Sequence, residues 1–174
     1  ALTNLFNAMP GLYIADGHHR SAAALRIAEQ RGLAAADAFL AVSFADDDVT
    51  ILDYNRVVRD PNGFTVDALL AAIEQHFVVA PAAQAVTPTA PWHYGLYLPG
   101  QWYSLAPRQT PNRDDPIARL DVSVLDRTIL EPLLGIKDPR TDSRIDFVGG
   151  SRGPAAIAER VNNGDMAVGF TLYP

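Results

Sequence analysis

The chain has 174 residues, 48% of them hydrophobic, with a formal net charge of −6 and an isoelectric point of about 5.0. This length favours one folded domain with a sizeable core. The negative charge disfavours nonspecific nucleic-acid binding and binding to an anionic membrane surface, because both depend on a basic face. The chain has no cysteine, which excludes disulfides, thiolate metal sites and thiol catalysis.

Residues 1–10 lack the basic and then apolar pattern of a signal peptide, and no apolar run reaches the length of a membrane span. We therefore expect a cytoplasmic protein with no membrane partner. Residues 1–10 have the pattern of the end of a helix closed by Pro10.

The next stretch predicts a strand at 12–15, a tight turn at Asp16-Gly17 and a helix over about 19–31 that ends at Gly32. The apolar run 12–14 is typical of a buried strand, and glycine takes a positive φ without penalty.

Residues 38–58 predict a hairpin. The continuous apolar run 38–44 indicates a buried strand, Asp46-Asp47-Asp48 an acidic turn, and the alternation over 49–58 a second strand. Arg56 lies on that second strand. A surface position is favoured for it, and the alternative is that it points back to an anion site at the first turn.

The rest of the chain alternates between helices and strands. Thr65 caps a helix that extends to His76, and Asp121 caps a helix that extends to about Leu130. The glycine-rich stretch 149–154 precedes a third helix. The predicted elements are strands at 77–80, 92–98, 101–105, 144–148 and 166–172, and helices at 65–76, 121–130 and 155–162. Pro99-Gly100 predicts a hairpin across 92–105. Together these elements predict a single α+β domain over 1–174, with a mixed or mainly antiparallel sheet and flanking helices.

The chemistry concentrates where the first predicted strand meets its helix. Asp16, Gly17, His18, His19 and Arg20 lie in one turn. A helix N-terminus offers unpaired N–H groups, and arginine binds phosphate through two donors, so this turn predicts an anion site. Histidine can donate to phosphate or transfer a proton, and aspartate can orient a histidine or hold Mg²⁺. The simpler alternative is that Asp16 caps the helix and the other three side chains are solvated.

A second strand–glycine–helix junction places Ser151 and Arg152 at the start of the last predicted helix. They are candidates for a further phosphate contact, with a plain helix cap as the equally weighted alternative. The junction lacks the Gly-Lys-Ser/Thr ending of a Walker loop.

The segment Tyr-Ile-Ala-Asp-Gly-His-His-Arg at 13–20 resembles the signature box of the domain of unknown function 1015 family. Segments 48–58, 120–125 and 129–136 agree with that family. Its members are usually longer, so this chain is expected to be a fragment or a short member. In the family-like interpretation the helix from Asp121 packs beside the signature loop, which makes Asp121 a candidate metal carboxylate, although a helix cap is its simpler role.

The same box is similar, more loosely, to the phosphate-binding loop of the ParB and sulfiredoxin superfamily, through Gly17-x-x-Arg20-x-x-Ala23. Some members of that superfamily bind a nucleotide at this loop, and some phosphorylate free serine. The resemblance implies a ParB/sulfiredoxin-like fold around the loop. Sulfiredoxin chemistry needs a cysteine in this turn, where the chain has His18-His19.

Three functions follow, in order of preference. The first is a phosphate- or nucleotide-binding domain taking ATP or ADP with Mg²⁺, extended to kinase-like transfer onto a small molecule such as a free amino acid. Gly17, Arg20, Ser151 and Arg152 would bind the cofactor, Asp16, His18 and His19 would be catalytic, and Asp16 and Asp121 would hold the metal. The second is a ParB-like, nucleotide-gated, DNA-associated module, which the acidic charge disfavours. The third is a metal-dependent hydrolase using Asp16, His18 and His19.

Overall fold

The computed structural model describes residues 2–32, 38–110 and 114–174. The chain divides into two compact units, Ala1–Val49 and Thr50–Pro174. The helices are α1 (Leu2–Asn7), α2 (His18–Arg31), α3 (Val66–Ile73), α4 (Asp121–Leu125) and α5 (Gly153–Asn162). The strands are β1 (Tyr54–Val58), β2 (Phe77–Ala82), β3 (Tyr94–Leu98), β4 (Gln101–Pro107), β5 (Ile145–Gly149) and β6 (Val168–Leu172). None of the helices in the described part of the chain is long and apolar enough to cross a membrane.

The described residues of the first unit form α1, α2 and a 3₁₀ turn at Asp46–Asp48. Helix α2 confirms the prediction for 19–31 and begins one residue earlier, at His18. Gly32 ends it in the left-handed conformation, with φ 57°, and donates its N–H to the carbonyl of Ala28 at 3.1 Å. This is the helix end that a glycine after an alanine-rich run favours.

The predicted strands at 12–15 and 38–44 are wrong. Both segments lack strand structure, and their apolar side chains are exposed, with Tyr13 98% and Leu40 94% accessible. A strand must exchange backbone hydrogen bonds with a neighbour, and the described residues of this unit contain no strand to provide them. The predicted hairpin over 38–58 is therefore wrong as well, since only 54–58 forms a strand, in the second unit.

The second unit is built on an open six-stranded sheet in the order β2-β4-β3-β6-β1-β5, with every neighbouring pair antiparallel. Strands β3 and β4 form the hairpin predicted for 92–105, with Gly100 at φ 81° in its turn. This sheet with its helices confirms the α+β class and the mainly antiparallel pairing. The expectation of a single domain over 1–174 stays a prediction.

Both faces of the sheet are covered. Alternating side chains point to opposite faces, so Val58 packs with α3 and α4 while its neighbour Val57 packs with α5. Three aromatic residues of the β3–β4 hairpin, Tyr94, Tyr97 and Trp102, are buried in these two cores. Tyr94 meets Phe77 edge-on at 5.6 Å between ring centroids, and Tyr97 meets Trp102 at 4.8 Å.

Helix α4 continues directly into a five-residue π-helix, Asp126–Leu130. Ile129 and Leu130 of this segment are fully buried in the larger core. The helical segment ends at Leu130, as predicted. Pro132 follows, and proline has no N–H to continue the ladder.

Close packing of α5 on the sheet requires glycine at position 169. A Cβ added to Gly169 would lie 2.1 Å from Cγ2 of Ile157, whereas one added to Gly149 would meet nothing within 4 Å. Overpacking of a core of this kind costs about 1–3 kcal/mol. We therefore expect Gly169→Ala to lower the free energy of unfolding by about that amount, and Gly149→Ala to change it by less than about 0.5 kcal/mol. Urea denaturation of both variants tests this, and equal effects would contradict the packing described.

Candidate functional site

The turn before α2 has a backbone that leaves the helix N-terminus open. Gly17 is the N-cap residue, at φ 90° and ψ 27°, and no side chain caps the helix. The N–H of Ser21 closes the first turn on the carbonyl of Gly17 at 2.9 Å. An α-helix leaves its first-turn N–H groups without partners inside the helix, and these groups carry a partial positive charge. The site is therefore a 14-residue helix whose N-terminal N–H groups no side chain occupies.

Asp16 and Arg20 pair with each other across this turn. Nη2 of Arg20 lies 3.2 Å from Oδ2 of Asp16, and their side chains are 81% and 93% exposed. The guanidinium folds over the glycine, since a Cβ on Gly17 would lie 3.3 Å from Nη2 of Arg20. The interpretation in which Asp16 caps the helix is wrong, because its carboxylate pairs with Arg20 and caps no N–H group.

His18 and His19 are both exposed at the start of α2. Successive side chains on a helix diverge by about 100°, so the two imidazoles project in different directions from one end of the helix. The structure thus brings five candidate residues, 16–20, together on one solvent-facing turn of the first unit.

The remaining candidates belong to the second unit. Ser151 and Arg152 are exposed on a 3₁₀ turn, Gly150–Arg152, that leads into α5. Pro154 occupies the first turn of that helix. The turn is attached to the sheet through the N–H of Gly150, which donates to the carbonyl of Asp53 at 2.8 Å. No side chain caps α5 either.

Asp121 does not cap its helix. The N-cap is Leu120, and the Asp121 carboxylate accepts a hydrogen bond from the backbone N–H of Trp92. Its own carbonyl accepts from the hydroxyl of Tyr94 at 2.9 Å. Burial raises the pKa of Asp121, and the hydrogen bond from Trp92 opposes that rise. Asp121 therefore ties the start of α4 to the segment before β3.

A metal site is not preformed in the described chain. Among residues 2–32, 38–110 and 114–174, no three histidine or carboxylate side chains are grouped so that they could hold an ion. Of the two carboxylates that the sequence predicted as metal ligands, Asp16 belongs to the first unit and Asp121 to the second.

Arg56 is a residue that sequence reasoning misplaced. It was expected at the surface, but it is only 8% exposed. Its guanidinium carbon lies 5.7 Å from the ring centre of Tyr54 and 5.4 Å from that of Phe147. Nη1 donates to the carbonyl of Tyr54, whereas Nε is buried without a hydrogen-bond partner. The sequence contained an indication of this burial. Arg56 lies two residues before Val58, so both side chains are on the same face of the strand, and Val58 is fully buried.

Asp126 is a second residue that sequence reasoning missed. Its Oδ1 is buried without a hydrogen-bond partner, at the first position of the π-helix. Burial raises its pKa, which the charge of Arg56 partly offsets. The two side chains interact electrostatically but form no direct ion pair. Helical spacing places Asp126 on the same stripe as Val122 and Ile129, and a carboxylate on an apolar stripe was the signal in the sequence.

Asp126 also lines an open pocket of about 310 Å³. The lining residues are Asp115, Ile117, Ala118, Ser123, Asp126 and Arg127. None of the site residues predicted from the sequence lines this pocket.

Comparison with known proteins places the loop 16–20 within the range matched by a protein family. A family model described as "Protein of unknown function (DUF1015)" matches residues 1–123. The chain belongs to the DUF1015 family. The matched range contains the loop 16–20, Arg56 and Asp121. No curated protein and no solved structure matches the chain, and the looser resemblance to ParB and sulfiredoxin stays a prediction.

The opposed environments of two carboxylates predict opposite pH dependences. Because the pKa of Asp126 is raised, the folded state holds its proton to a higher pH than the unfolded state does. The free energy of unfolding that this proton contributes is therefore lost as the pH rises from about 4, the usual aspartate pKa, through the raised pKa of Asp126 in the folded state. We expect the unfolding free energy of the parent, relative to Asp126→Asn, to fall over that range in urea titrations.

Asp138 provides the control. Its hydrogen bonds to Arg140 lower its pKa, so the parent should gain stability relative to Asp138→Asn as pH rises to about 4. The same sign for both variants would contradict the environments described.

Proposed function

We propose that the loop 16–20 binds the phosphate of a small molecule or of a nucleotide such as ATP or ADP. The observation that carries the proposal is the uncapped N-terminus of α2 behind Gly17, with the guanidinium of Arg20 folded over it. Backbone N–H groups, the helix dipole and an arginine favour the same anion at the same place.

The ion pair between Asp16 and Arg20 is of a kind in which Arg20 can exchange Asp16 for a phosphate. Both side chains are largely exposed and the pair has a single short contact, and exposed ion pairs contribute little to stability. A phosphate can therefore take the guanidinium from Asp16 at small cost. The released carboxylate would then be available beside the bound phosphate.

The kinase-like extension rests on that carboxylate and on the two histidines. Mg²⁺ is commonly held by one or two carboxylates together with substrate phosphates, so Asp16 fits an ion that arrives with a nucleotide. His18 or His19 would donate to the phosphate or move a proton to or from a small acceptor, such as a free amino acid. Ser151, Arg152 and Asp121 stay predictions as further contacts, as do the DNA-associated and hydrolase alternatives.

Arg20→Ala tests the binding proposal. Loss of a charge-assisted hydrogen bond is expected to cost about 1.5–3 kcal/mol of binding free energy, equivalent to a rise of about 10- to 150-fold in Kd. Calorimetric titration with inorganic phosphate, ATP and ATP with Mg²⁺ measures this. Arg26→Ala is the matched control, since it removes the same charge from the exposed middle of α2 and should leave Kd unchanged. Equal affinities of parent and Arg20→Ala for all three ligands would remove this site.

Asp16→Asn separates catalysis from binding. The substitution keeps the size of the side chain and removes its charge. If Asp16 supports Mg²⁺ or a histidine, ATP turnover should fall by about 10²-fold or more, while phosphate affinity stays equal or rises because Arg20 loses its competing partner.

The assay uses the full chain with and without free serine, and Asp46→Asn, another exposed aspartate of the same unit, is its control. Turnover in Asp16→Asn equal to that of the parent would defeat the catalytic role. Absence of turnover in the parent would leave phosphate binding as the function of the loop.

A further inference from the structure

The six-stranded sheet of the second unit ends in two edge strands, β2 and β5. An edge strand carries outward N–H and C=O groups that can pair with another chain. At one end of β5, the N–H of Arg59 donates to the carbonyl of Arg144 at 2.8 Å. At the other end, the N–H of Gly150 donates to the carbonyl of Asp53 at 2.8 Å. Because the residues of an antiparallel strand bond alternately to one side and to the other, the even-numbered residues of 144–150 bond to β1. The odd-numbered residues therefore direct their N–H and C=O groups to the open edge.

A carboxylate occupies the middle one of these outward N–H groups. The N–H of Phe147 donates to Oδ1 of Asp146 at 2.8 Å. The other oxygen of Asp146 accepts from Nη1 of Arg160 on α5 at 2.7 Å, and Nε of Arg160 donates in turn to Asp165 at 2.9 Å. The hydrogen bond from Arg160 lowers the pKa of Asp146, so its carboxylate is ionised at neutral pH. Arg160 thus holds a charged acceptor against the centre of the β5 edge.

Without this carboxylate, β5 is complementary to the same strand of a second copy. The outward residues 145, 147 and 149 are symmetric about Phe147, so an antiparallel pair of β5 strands would place Phe147 opposite Phe147 of the second copy. Beside it, the ring of Tyr54 stacks on that of Phe147 at 5.1 Å and is 55% exposed, which leaves apolar surface for such a pair to cover.

Asp146 opposes this pairing in a second way. In the same register Asp146 lies opposite Val148 of the second copy, so the two Asp146 side chains become diagonal neighbours on one face, about 7–8 Å apart. Two negative charges at that separation repel each other.

The opposite edge of the sheet is blocked by independent means. The N–H of Arg108 donates to the carbonyl of His76 at 3.0 Å, so the outward residues of β2 are 77, 79 and 81. Pro81 has no N–H to offer there. Edge prolines and edge charges are both means by which natural sheets avoid pairing with other chains.

We propose that Asp146, held in place by Arg160, blocks the pairing of β5 with the same strand of a second copy. Loss of the carboxylate frees the N–H of Phe147 and removes the repulsion between the two copies, so that their sheets join edge to edge. The device belongs to the second unit and does not depend on the loop 16–20.

Amide hydrogen exchange of the ¹⁵N-labelled full chain, followed by NMR, tests this. Exchange is measured from about 20 μM to about 1 mM protein, since association depends on protein concentration. In Asp146→Ala at the lowest concentration, the N–H of Phe147 should exchange faster than in the parent, because it has lost its acceptor. At the highest concentration the N–H groups of Ile145, Phe147 and Gly149 should all exchange about tenfold more slowly or less, because they are then paired. In the parent, exchange at Ile145 and Gly149 should not depend on concentration.

Asp138→Ala is the matched control. Asp138 also accepts from a backbone N–H and from a guanidinium, both of Arg140, but it lies outside the sheet. This variant should behave as the parent does. Asp146 is exposed, so its replacement leaves the core intact. Asp146→Val, with a side chain that favours strands and accepts no hydrogen bond, repeats the test if Asp146→Ala fails to fold.

A second substitution closes the edge again. Gly149 has φ −62° and ψ 144°, which proline adopts, and its N–H points away from β1. The double variant Asp146→Ala/Gly149→Pro should therefore fold and lose the concentration dependence. Absence of concentration-dependent protection in the folded Asp146 variants would overturn the proposal. Protection that persists in the double variant, or that the parent already shows at Ile145 and Gly149, would overturn it too.

Discussion

Backbone pairing is the constraint on which the rest of this structure depends. Each strand of the second unit exchanges hydrogen bonds with an antiparallel neighbour, and β6 and β1 connect the β3–β4 hairpin to the edge strand β5. Once that ladder is in place, the alternation of side chains fixes which residues face α4 and which face α5. Val57 and Val58, adjacent in sequence, end in different cores for this reason alone. The closeness of α5 to the sheet then requires glycine at 169.

The same constraint explains how much of the fold the sequence could predict. Local signals were sufficient for α2 with Gly32, for the Thr65 cap and for the hairpin at Pro99-Gly100, because turn and cap chemistry is contained in a few neighbouring residues. The apolar runs at 12–14 and 38–44 have the composition of strands, yet composition does not provide a partner. Strand formation is decided by non-local pairing, which a single sequence does not reveal.

The candidate sites also differ in whether neighbouring or distant residues form them. The loop 16–20 could be found from the sequence because a glycine, a helix start and charged residues are contiguous there. Arg56 and Asp126 are 70 positions apart in the sequence. Their charges interact because β1 and the π-helical segment contribute to the same core. The sequence indication for these two residues was weaker than that for the loop 16–20. It consisted of a charged residue at a position where the strand or helix period predicts an apolar one.

The two arginines of these sites illustrate how burial changes the role of the same side chain. Arg20 is solvated, so its partner Asp16 can be exchanged for a phosphate with little change in stability. Arg56 is desolvated, so that burial lowers its pKa despite the nearby charge of Asp126, and every donor it fails to pair carries a cost. An exposed guanidinium at a helix N-terminus therefore suits a charged ligand that binds and leaves. A buried guanidinium that lies beside two aromatic rings and is already balanced by a carboxylate is not free to exchange its partners in this way.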